Sequence, residues 1–225
     1  MYKPRRKVII LFCVLLSLLA VACYGLNAEA AASGAADREI YLTFDDGPSV
    51  SVTPRILDIL KEYDVPATFF VVGELAIEHG DIIRRADAEG HTVAIHCYRH
   101  DYKYLYSSPE NYYEDLMRAR RALTKILPEF DCHVMRFPGG SFTLSGKYIE
   151  VVKKAGFSYV DWNCTNGDTE KEISTAEDSY DFAVSTAGNR VRLVMLMHDN
   201  KSVTASGLEK IILYFKENGY TFKKF

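Results

Sequence analysis

Residues 40–48 read Ile-Tyr-Leu-Thr-Phe-Asp-Asp-Gly-Pro, a run of alternating apolar side chains followed by two adjacent carboxylates and a Gly-Pro pair. Alternation with a period of two predicts a β-strand, and Gly-Pro predicts a turn directly after it. Asp45 and Asp46 could simply form a turn or cap a helix. Two adjacent acids at a strand end nevertheless repel each other unless something offsets their charge, and a divalent cation is the usual partner.

The other half of such a cation site lies in residues 96–100, His-Cys-Tyr-Arg-His. His96 and His100, joined by one carboxylate from another strand end, form a facial ligand set that leaves coordination positions open for water and substrate. These ligand types favour one Zn²⁺, with Co²⁺, Fe²⁺ and Mn²⁺ as alternatives. Non-haem iron oxygenases use the same ligand set, but the sequence offers no evident clamp for a 2-oxoacid.

Apolar runs alternate with amphipathic stretches along the rest of the chain. Strands are predicted at residues 67–72, 92–96, 132–137, 158–163, 191–198 and 220–225, and helices at 53–63, 81–89, 108–127, 146–155 and 208–218. Residues 98–106 are predicted to form a tyrosine-rich loop, and residues 166–188 an irregular or partly helical insertion. This order predicts an α/β fold with a parallel sheet, either open and doubly wound or closed into a barrel. Both architectures place sites at the carboxyl ends of strands, where the candidate residues fall.

Four motifs in this order resemble those of the polysaccharide deacetylases, the NodB-homology enzymes of carbohydrate esterase family 4. The motifs are Thr-Phe-Asp-Asp-Gly-Pro at 43–48, His-x-x-x-His at 96–100, Arg-Phe-Pro-Gly-Gly at 136–140 and Leu-Met-His at 196–198. The resemblance covers roughly residues 39–225. It implies a distorted (β/α) barrel of about seven parallel strands and a metal-dependent deacetylation of a glycan.

The resemblance also implies roles for individual residues. Asp46, His96 and His100 are the expected metal ligands, Asp45 the expected catalytic base and His198 the expected general acid. Adjacent side chains on an extended segment point in opposite directions, so Asp46 could coordinate the metal while Asp45 faces the attacking water.

Two further expectations concern residues 136–140. In the family, the arginine at the position of Arg136 pairs with the catalytic aspartate and keeps it ionised and oriented. Gly139 stands where the family commonly has tyrosine, but that tyrosine holds the oxyanion through its backbone N–H, which Gly139 can also supply. The lost ring implies a different substrate groove.

A general acid needs a carboxylate partner that fixes its tautomer and raises its pKa. Asp168 is the predicted partner of His198 because it matches the acid of the family's fourth motif. Thr169 replaces the tryptophan that usually follows, so Asp161 and Asp199 stay as alternatives. His198 could also be an ordinary core histidine at the end of an apolar strand.

The predicted substrate groove contains Trp162, Leu196 and Tyr102. Trp162 is the only tryptophan, and it suits a sugar platform and a core position equally well. Tyr102 belongs to a run of tyrosines at positions 98, 102, 104 and 106, of which about half are expected to be packing residues. Exposed tyrosines beside the metal would suit a glycan.

Other chemistry-bearing residues are assigned no role in the site. Cys97 stands where the family usually has serine or threonine, and its thiol could compete as a metal ligand. Cys97, Cys132 and Cys164 are an odd number with uneven spacing, which argues against a disulfide framework. Three histidines lack the spacing to join the site: His79, His91 and His133.

Residues 1–36 are predicted to be separate from the catalytic domain at 37–225, which is long enough for one sizeable core. Basic residues 3–7 precede an apolar run at 8–26 and an alanine-rich stretch that contains Ala28-Glu29-Ala30. This pattern predicts a cleaved export signal, an uncleaved membrane anchor or, through Cys23, a lipoprotein. In each case the domain works outside the membrane, on the extracellular or cell-wall side.

The net charge of −3, with four basic residues and no acid in the first 26 positions, leaves a mildly acidic body. Such a body argues against a nucleic-acid partner. Together with the predicted export, the resemblance implies a metal-dependent deacetylase of N-acetylated amino sugars in a cell-surface polymer, with peptidoglycan favoured, and we expect a monomer. Chitooligomers and O-acetyl xylan are alternative substrates. A non-catalytic glycan-binding module is the rival hypothesis, although it would need neither Asp45 nor His198.

Overall fold

In the computed structural model, which describes residues 37–225, strand β1 lies inside a sheet of parallel strands. The strands are β1 (Arg38–Asp45), β2 (Thr68–Val72), β3 (Thr92–Cys97), β4 (Val134–Met135), β5 (Ser158–Tyr159), β6 (Cys164–Thr165), β7 (Arg192–His198) and β8 (Tyr220–Lys223). The helices are α1 (Thr53–Glu62), α2 (Gly73–Glu78), α3 (Gly80–Ala88), α4 (Tyr102–Leu105), α5 (Pro109–Ile126), α6 (Gly146–Lys154), α7 (Ala176–Ala187) and α8 (Ser202–Glu217).

The strand order is β5-β4-β3-β2-β1-β7-β6, with β8 beside the first half of β1, and all strand pairs are parallel. β5 and β6 form the two ends of this curled path, although only four residues separate them in the chain. The predicted α/β class with a distorted parallel barrel is confirmed, with β8 as an eighth strand. All strands run in the same direction, so their carboxyl ends share one edge.

The two faces of β1 have different surroundings. Ile40, Leu42 and Phe44 are fully buried in the hydrophobic core. Burial of one such side chain contributes about 1.5–3 kcal/mol. Because successive side chains alternate across a strand, Thr43 and Asp45 share the other face, which leads to the predicted site. β7 alternates in the same way: Leu193, Met195 and Met197 belong to the core, and Leu196 shares its face with His198.

The region predicted as an insertion is more regular than expected. Within it, Ala176–Ala187 forms helix α7, and residues 164–165 directly before it form strand β6. Thr175 caps α7 by accepting a hydrogen bond from Asp178 N, while the Asp178 carboxylate accepts one from Thr175 N at 2.9 Å. This reciprocal cap is a local signal of a helix start that the sequence interpretation missed.

Helix α8 begins at Ser202, six residues before its predicted start at 208. Small residues and a glycine weaken the helical pattern in this part of the sequence. The structure explains the glycine by packing, because a Cβ at Gly207 would lie 3.1 Å from Ala176 O and 3.0 Å from Ser179 Oγ. Close contact between α7 and α8 thus outweighs the weak helix propensity.

Other predicted boundaries were wrong where the sheet curls. Residues 132–137 and 158–163 contribute only the short strands β4 and β5, so His133 precedes its strand rather than lying inside it. Helices α2 and α4 were not predicted, and α4 falls within the tyrosine-rich loop. Within residues 37–225, no helix has the length and apolar character needed to cross a membrane. The predictions for residues 1–36 lie outside the described part of the chain.

Candidate active site

The site begins at the turn after β1. Asp45 ends the strand, and Asp46 adopts a φ of +73°, in the left-handed region that side chains other than glycine rarely occupy. The expectation that both aspartates lie on an extended segment was therefore wrong for Asp46. The left-handed residue, rather than strand alternation, separates the surroundings of the two carboxylates.

Asp46, His96 and His100 bring three ligand atoms together, in the combination that the resemblance implied. Asp46 Oδ1 lies 3.4 Å from His96 Nε2 and 3.3 Å from His100 Nε2. This oxygen is buried and has no hydrogen-bond partner within residues 37–225. A buried carboxylate oxygen without a partner is costly. The three atoms could hold a metal ion, and the donor set of two imidazoles and a carboxylate fits zinc.

Neighbouring groups favour the protonation states of Asp46, His96 and His100 that a metal ligand needs. His96 Nδ1 lies 2.9 Å from the carbonyl oxygen of Arg136. If Nδ1–H donates to this carbonyl, Nε2 keeps its lone pair for a metal. Burial alone would raise the pKa of Asp46, but the interaction with His96 and the charges of His100 and His198 outweigh it and lower the pKa to about 2. Burial lowers the pKa of His100, which favours the neutral ligand form.

Cys97 does not join the ligand atoms. Its side chain is 2% exposed and packs in the hydrophobic core. Burial raises the pKa of the Cys97 thiol well above its ordinary value, which disfavours the thiolate that a metal requires. The structure thus places the Cys97 side chain in the core and outside the cluster of Asp46, His96 and His100. Cys132 and Cys164 are free thiols as well.

Asp45 forms a buried ion pair with Arg136. Arg136 Nη1 donates to Asp45 Oδ1 at 2.9 Å and to Thr43 Oγ1 at 2.7 Å, and Nε donates to the carbonyl oxygen of Val160 at 3.1 Å. The Arg136 side chain is fully buried. Asp45 Oδ2 faces the ligand cluster, 4.0 Å from His96 Nε2. One oxygen of Asp45 is therefore fixed, and the other is directed towards the site.

His198 is held by Asp168. Asp168 Oδ1 lies 2.8 Å from His198 Nδ1, and Asp168 Oδ2 accepts from His198 N at 2.7 Å and from Thr204 Oγ1 at 2.5 Å. Burial lowers the pKa of His198, but the hydrogen bond and charge of Asp168 outweigh this effect, so the pKa is raised. His198 Nε2 lies 4.0 Å from Asp46 Oδ2, on the side of the ligand cluster.

The two alternative partners of His198 are engaged elsewhere. Asp161 accepts hydrogen bonds from the backbone N and the hydroxyl of Ser141. Asp199 is buried and accepts from Thr53 Oγ1 at 2.7 Å. Of the three candidate acids, the structure thus brings Asp168 to the imidazole.

The predicted groove residues lie at different depths. Trp162 is half-buried, and its ring meets the exposed ring of Phe142 edge-on, with the ring centroids 5.2 Å apart. Tyr102 is 49% exposed, whereas Leu196 is only 9% exposed. Gly139 is exposed at the turn after β4, and its N–H donates to no group within residues 37–225. This leaves the predicted oxyanion donor available to a substrate.

The sequence-based prediction missed three residues that support the site through hydrogen bonds to Arg136 and Asp168. Thr43 links Arg136 to the carbonyl oxygen of Met195, which Thr43 Oγ1 contacts at 2.6 Å. Its position two residues before Asp45 is a usable signal, because residues two apart share a strand face. Thr204 and Asn166 support Asp168, but their connection crosses from helix α8 to the loop after β6 and has no local sequence signal. His79, His91 and His133 do not belong to the ligand cluster.

A family model for polysaccharide deacetylases matches residues 32–160. The chain is 31% identical over 186 residues to the peptidoglycan-N-acetylglucosamine deacetylase PgdA of Listeria monocytogenes, covering 83% of this chain and 38% of that protein. It is 35% identical over 164 residues to a chitooligosaccharide deacetylase of Bradyrhizobium, covering 72% and 71%.

Among solved structures, the catalytic domain of a peptidoglycan N-acetylglucosamine deacetylase from Eubacterium rectale matches with a TM-score of 0.76 and 32% identity, over 86% of this chain and 93% of that chain. The chain spans two thirds or less of the length of several curated relatives, as with PgdA. The family match nevertheless covers more than half of the chain. The chain therefore belongs to the polysaccharide deacetylase family.

Proposed function

We propose that this protein is a metal-dependent hydrolase that removes N-acetyl groups from amino sugars of a cell-surface polysaccharide. The observation that carries the proposal is that a carboxylate and an imidazole lie beside the ligand cluster, each held by a partner of opposite charge. Asp45 is held in an ion pair with Arg136, and His198 is held by Asp168 with a raised pKa. A base and an acid are what amide hydrolysis requires.

Asp46, His96 and His100 would hold the metal, for which zinc is the first choice and Co²⁺, Fe²⁺ or Mn²⁺ the alternatives. When bound, a divalent metal polarises a carbonyl and lowers the pKa of a coordinated water. The chain itself supplies the proton transfers. Asp45 Oδ2 accepts the proton of the attacking water, because Oδ1 is occupied by Arg136.

Two further groups act on the scissile amide. The N–H of Gly139 donates to the carbonyl oxygen as negative charge develops on it, which is the role of an oxyanion hole. His198 then gives its proton to the departing amine nitrogen, and Asp168 stabilises the imidazolium before that transfer. The products are acetate and a glycan with a free amine.

We propose peptidoglycan as the polymer, and its N-acetylglucosamine residues ahead of its N-acetylmuramic acid residues. The support is that both the Listeria and Eubacterium proteins are named for that substrate. The Bradyrhizobium relative favours chitooligomers as a second candidate. Export by residues 1–36, whether cleaved or anchored, would bring the domain to the cell wall. A monomer suffices, because a single chain supplies every site residue named here.

The test is acetate release by the purified full chain. We expect acetate from peptidoglycan, with mass spectrometry locating the lost acetyl group on a particular sugar, and no release by the Asp45→Asn variant. Chitooligomers and O-acetyl xylan are assayed in parallel to rank the substrates. Binding of glycan without acetate release by the metal-loaded protein would refute the proposal and favour the glycan-binding module.

A further inference from the structure

Tyr102 lies beside a proposed metal ligand. It begins helix α4, two residues after His100, and its ring meets the His100 ring nearly edge-on, with centroids 5.0 Å apart and an interplanar angle of 73°. Asp101 fixes the start of α4 by accepting a hydrogen bond from Tyr104 N at 3.1 Å. The position of Tyr102 is therefore set by a capped turn and by packing on His100.

The hydroxyl of Tyr102 lies next to Gly139. A Cβ at Gly139 would come within 3.2 Å of Tyr102 Oη and 3.3 Å of Tyr102 Cε1, and Gly139 has a φ of +76°. A side chain at position 139 would thus need a strained backbone and would press on the tyrosine ring. The aromatic ring at this point of the site comes from α4 instead of from residue 139.

The contact between Tyr102 and Gly139 is braced by Tyr106. The Tyr106 hydroxyl donates to the carbonyl oxygen of Pro138 at 2.7 Å, and the rings of Tyr106 and Tyr102 lie 5.9 Å apart. The turn that carries Gly139 is thereby tied to the helix that carries Tyr102. Tyr102 Oη itself has no hydrogen-bond partner among the described residues, and a phenol is a donor at neutral pH.

We propose that Tyr102 is a further catalytic residue, whose hydroxyl donates a hydrogen bond to the acetyl carbonyl oxygen beside the N–H of Gly139. The inference rests on the proposed deacetylase function. The tyrosine keeps its proton throughout, and its hydrogen bond strengthens as the oxygen gains negative charge. Its side chain adds a donor that the backbone alone does not supply.

The test compares Tyr102→Phe with Tyr104→Phe, a matched loss of a hydroxyl from an exposed tyrosine in the same short helix. Loss of one oxyanion donor typically costs about 10²–10³ in kcat. For this exposed donor we expect a fall of about 10- to 100-fold in kcat for Tyr102→Phe, with KM, metal content and Tm near wild type. Tyr104→Phe should behave like the wild type.

A second readout does not depend on turnover. Acetate, the product, presents a charged oxygen to the same donors, so we expect Tyr102→Phe to bind added acetate more weakly by calorimetry, while Tyr104→Phe binds it normally. Unchanged kcat and acetate affinity in Tyr102→Phe would overturn the inference, as would loss of metal or a change confined to KM. Absence of acetate release by the metal-loaded wild type would instead overturn the proposed function, and acetate binding would then decide the role of Tyr102.

Discussion

Asp45 and Asp46 are neighbours in the chain but meet opposite kinds of partner. The Asp45 carboxylate is 4% exposed and paired with a fully buried arginine, whereas Asp46 Oδ1 faces the Nε2 atoms of two imidazoles and has no hydrogen-bond partner within residues 37–225. An arginine partner stabilises a carboxylate, and a metal ion would do the same for Asp46. The different partners are the physical basis for assigning base to one residue and ligand to the other.

Replacement of Asp45 tests this division. We predict that Asp45→Asn lowers kcat by about 10²–10⁴-fold, the range for loss of a positioned general base, and keeps its metal. Its Tm should fall, because Arg136 is left as a buried charge without a counterion, a change that costs about 3–5 kcal/mol in comparable sites. Asp131→Asn, at an exposed position, is the control. Loss of metal from Asp45→Asn would show that the two roles were assigned the wrong way round.

The Asp168 carboxylate affects the pH range over which His198 can act as a general acid. Asp168 raises the pKa of His198, and a general acid works only while protonated, so activity falls as pH rises through that pKa. Asp168→Asn removes the charge that stabilises imidazolium, and His198 then loses its proton at lower pH. We predict that the alkaline limb of the pH–rate profile moves to lower pH.

The matched control is Asp161→Asn, whose carboxylate binds Ser141 instead of His198. An alkaline limb of the pH–rate profile that stays in place in Asp168→Asn, or that moves in Asp161→Asn, would contradict the pairing of Asp168 with His198. Asp168 was the predicted partner through the family's fourth motif, but Asp161 and Asp199 stayed open because chain position alone does not say which acid reaches an imidazole across a barrel edge. In the structure, Asp168 Oδ1 is the carboxylate oxygen that lies 2.8 Å from His198 Nδ1.

The turn between strand β1 and helix α1 is held by hydrogen bonds to Asp199, the residue that follows His198. Ser49 Oγ donates to the carbonyl oxygen of Asp199 at 2.7 Å, and Thr53 Oγ1 donates to its carboxylate at the same distance. Burial raises the pKa of Asp199 to about 7. This clamp of hydrogen bonds ties the Asp46 turn to the end of β7.

Gly47 is essential to this clamp because a Cβ there would lie 2.0 Å from Asp199 Oδ2. We predict that Gly47→Ala lowers the Tm and reduces metal content, since the turn that positions Asp46 must move. Gly146→Ala is the matched control, because a Cβ at Gly146 meets nothing within 4 Å. Circular dichroism melts and elemental analysis provide the measurements. Wild-type Tm and metal content in Gly47→Ala would contradict the clamp.

The elements differ in how far sequence could define them. The buried strands β2 and β7 and the helix α5 have strong local patterns, and they were predicted nearly at their observed positions. The strands β4, β5 and β6 have two residues each, too few for a periodic signal. The first half of helix α8 contains Gly207, which packs closely against α7 in a tertiary contact that the local sequence does not show.

The parallel barrel brings together groups that are far apart in the chain. β1 is paired with both β2 and β7, and Asp45 and His198 are direct register partners across β1 and β7. β3 brings His96 to the same edge through its pairing with β2. Alternating apolar strands and helices predicted the parallel sheet, but curling depends on strand tilt and register, which periodicity does not encode.

A metal that binds residues from two strand ends should also stabilise the whole fold. A ligand at 100 times its dissociation constant stabilises the native state by about 2.7 kcal/mol. We predict that added Zn²⁺ raises the Tm of the metal-free wild type and that a chelator reverses the rise. His96→Ala should show little response. An equal rise in both proteins would indicate that zinc binds elsewhere.

The proposed function depends most on a metal held by Asp46, His96 and His100. Its most direct test is elemental analysis and acetate release from peptidoglycan on the same samples of full-chain wild type and His96→Ala. We predict about one equivalent of divalent metal and acetate release in the wild type, and loss of both in His96→Ala, because neighbouring groups do not replace a metal ligand. Stoichiometric metal with undiminished acetate release in His96→Ala would contradict the account.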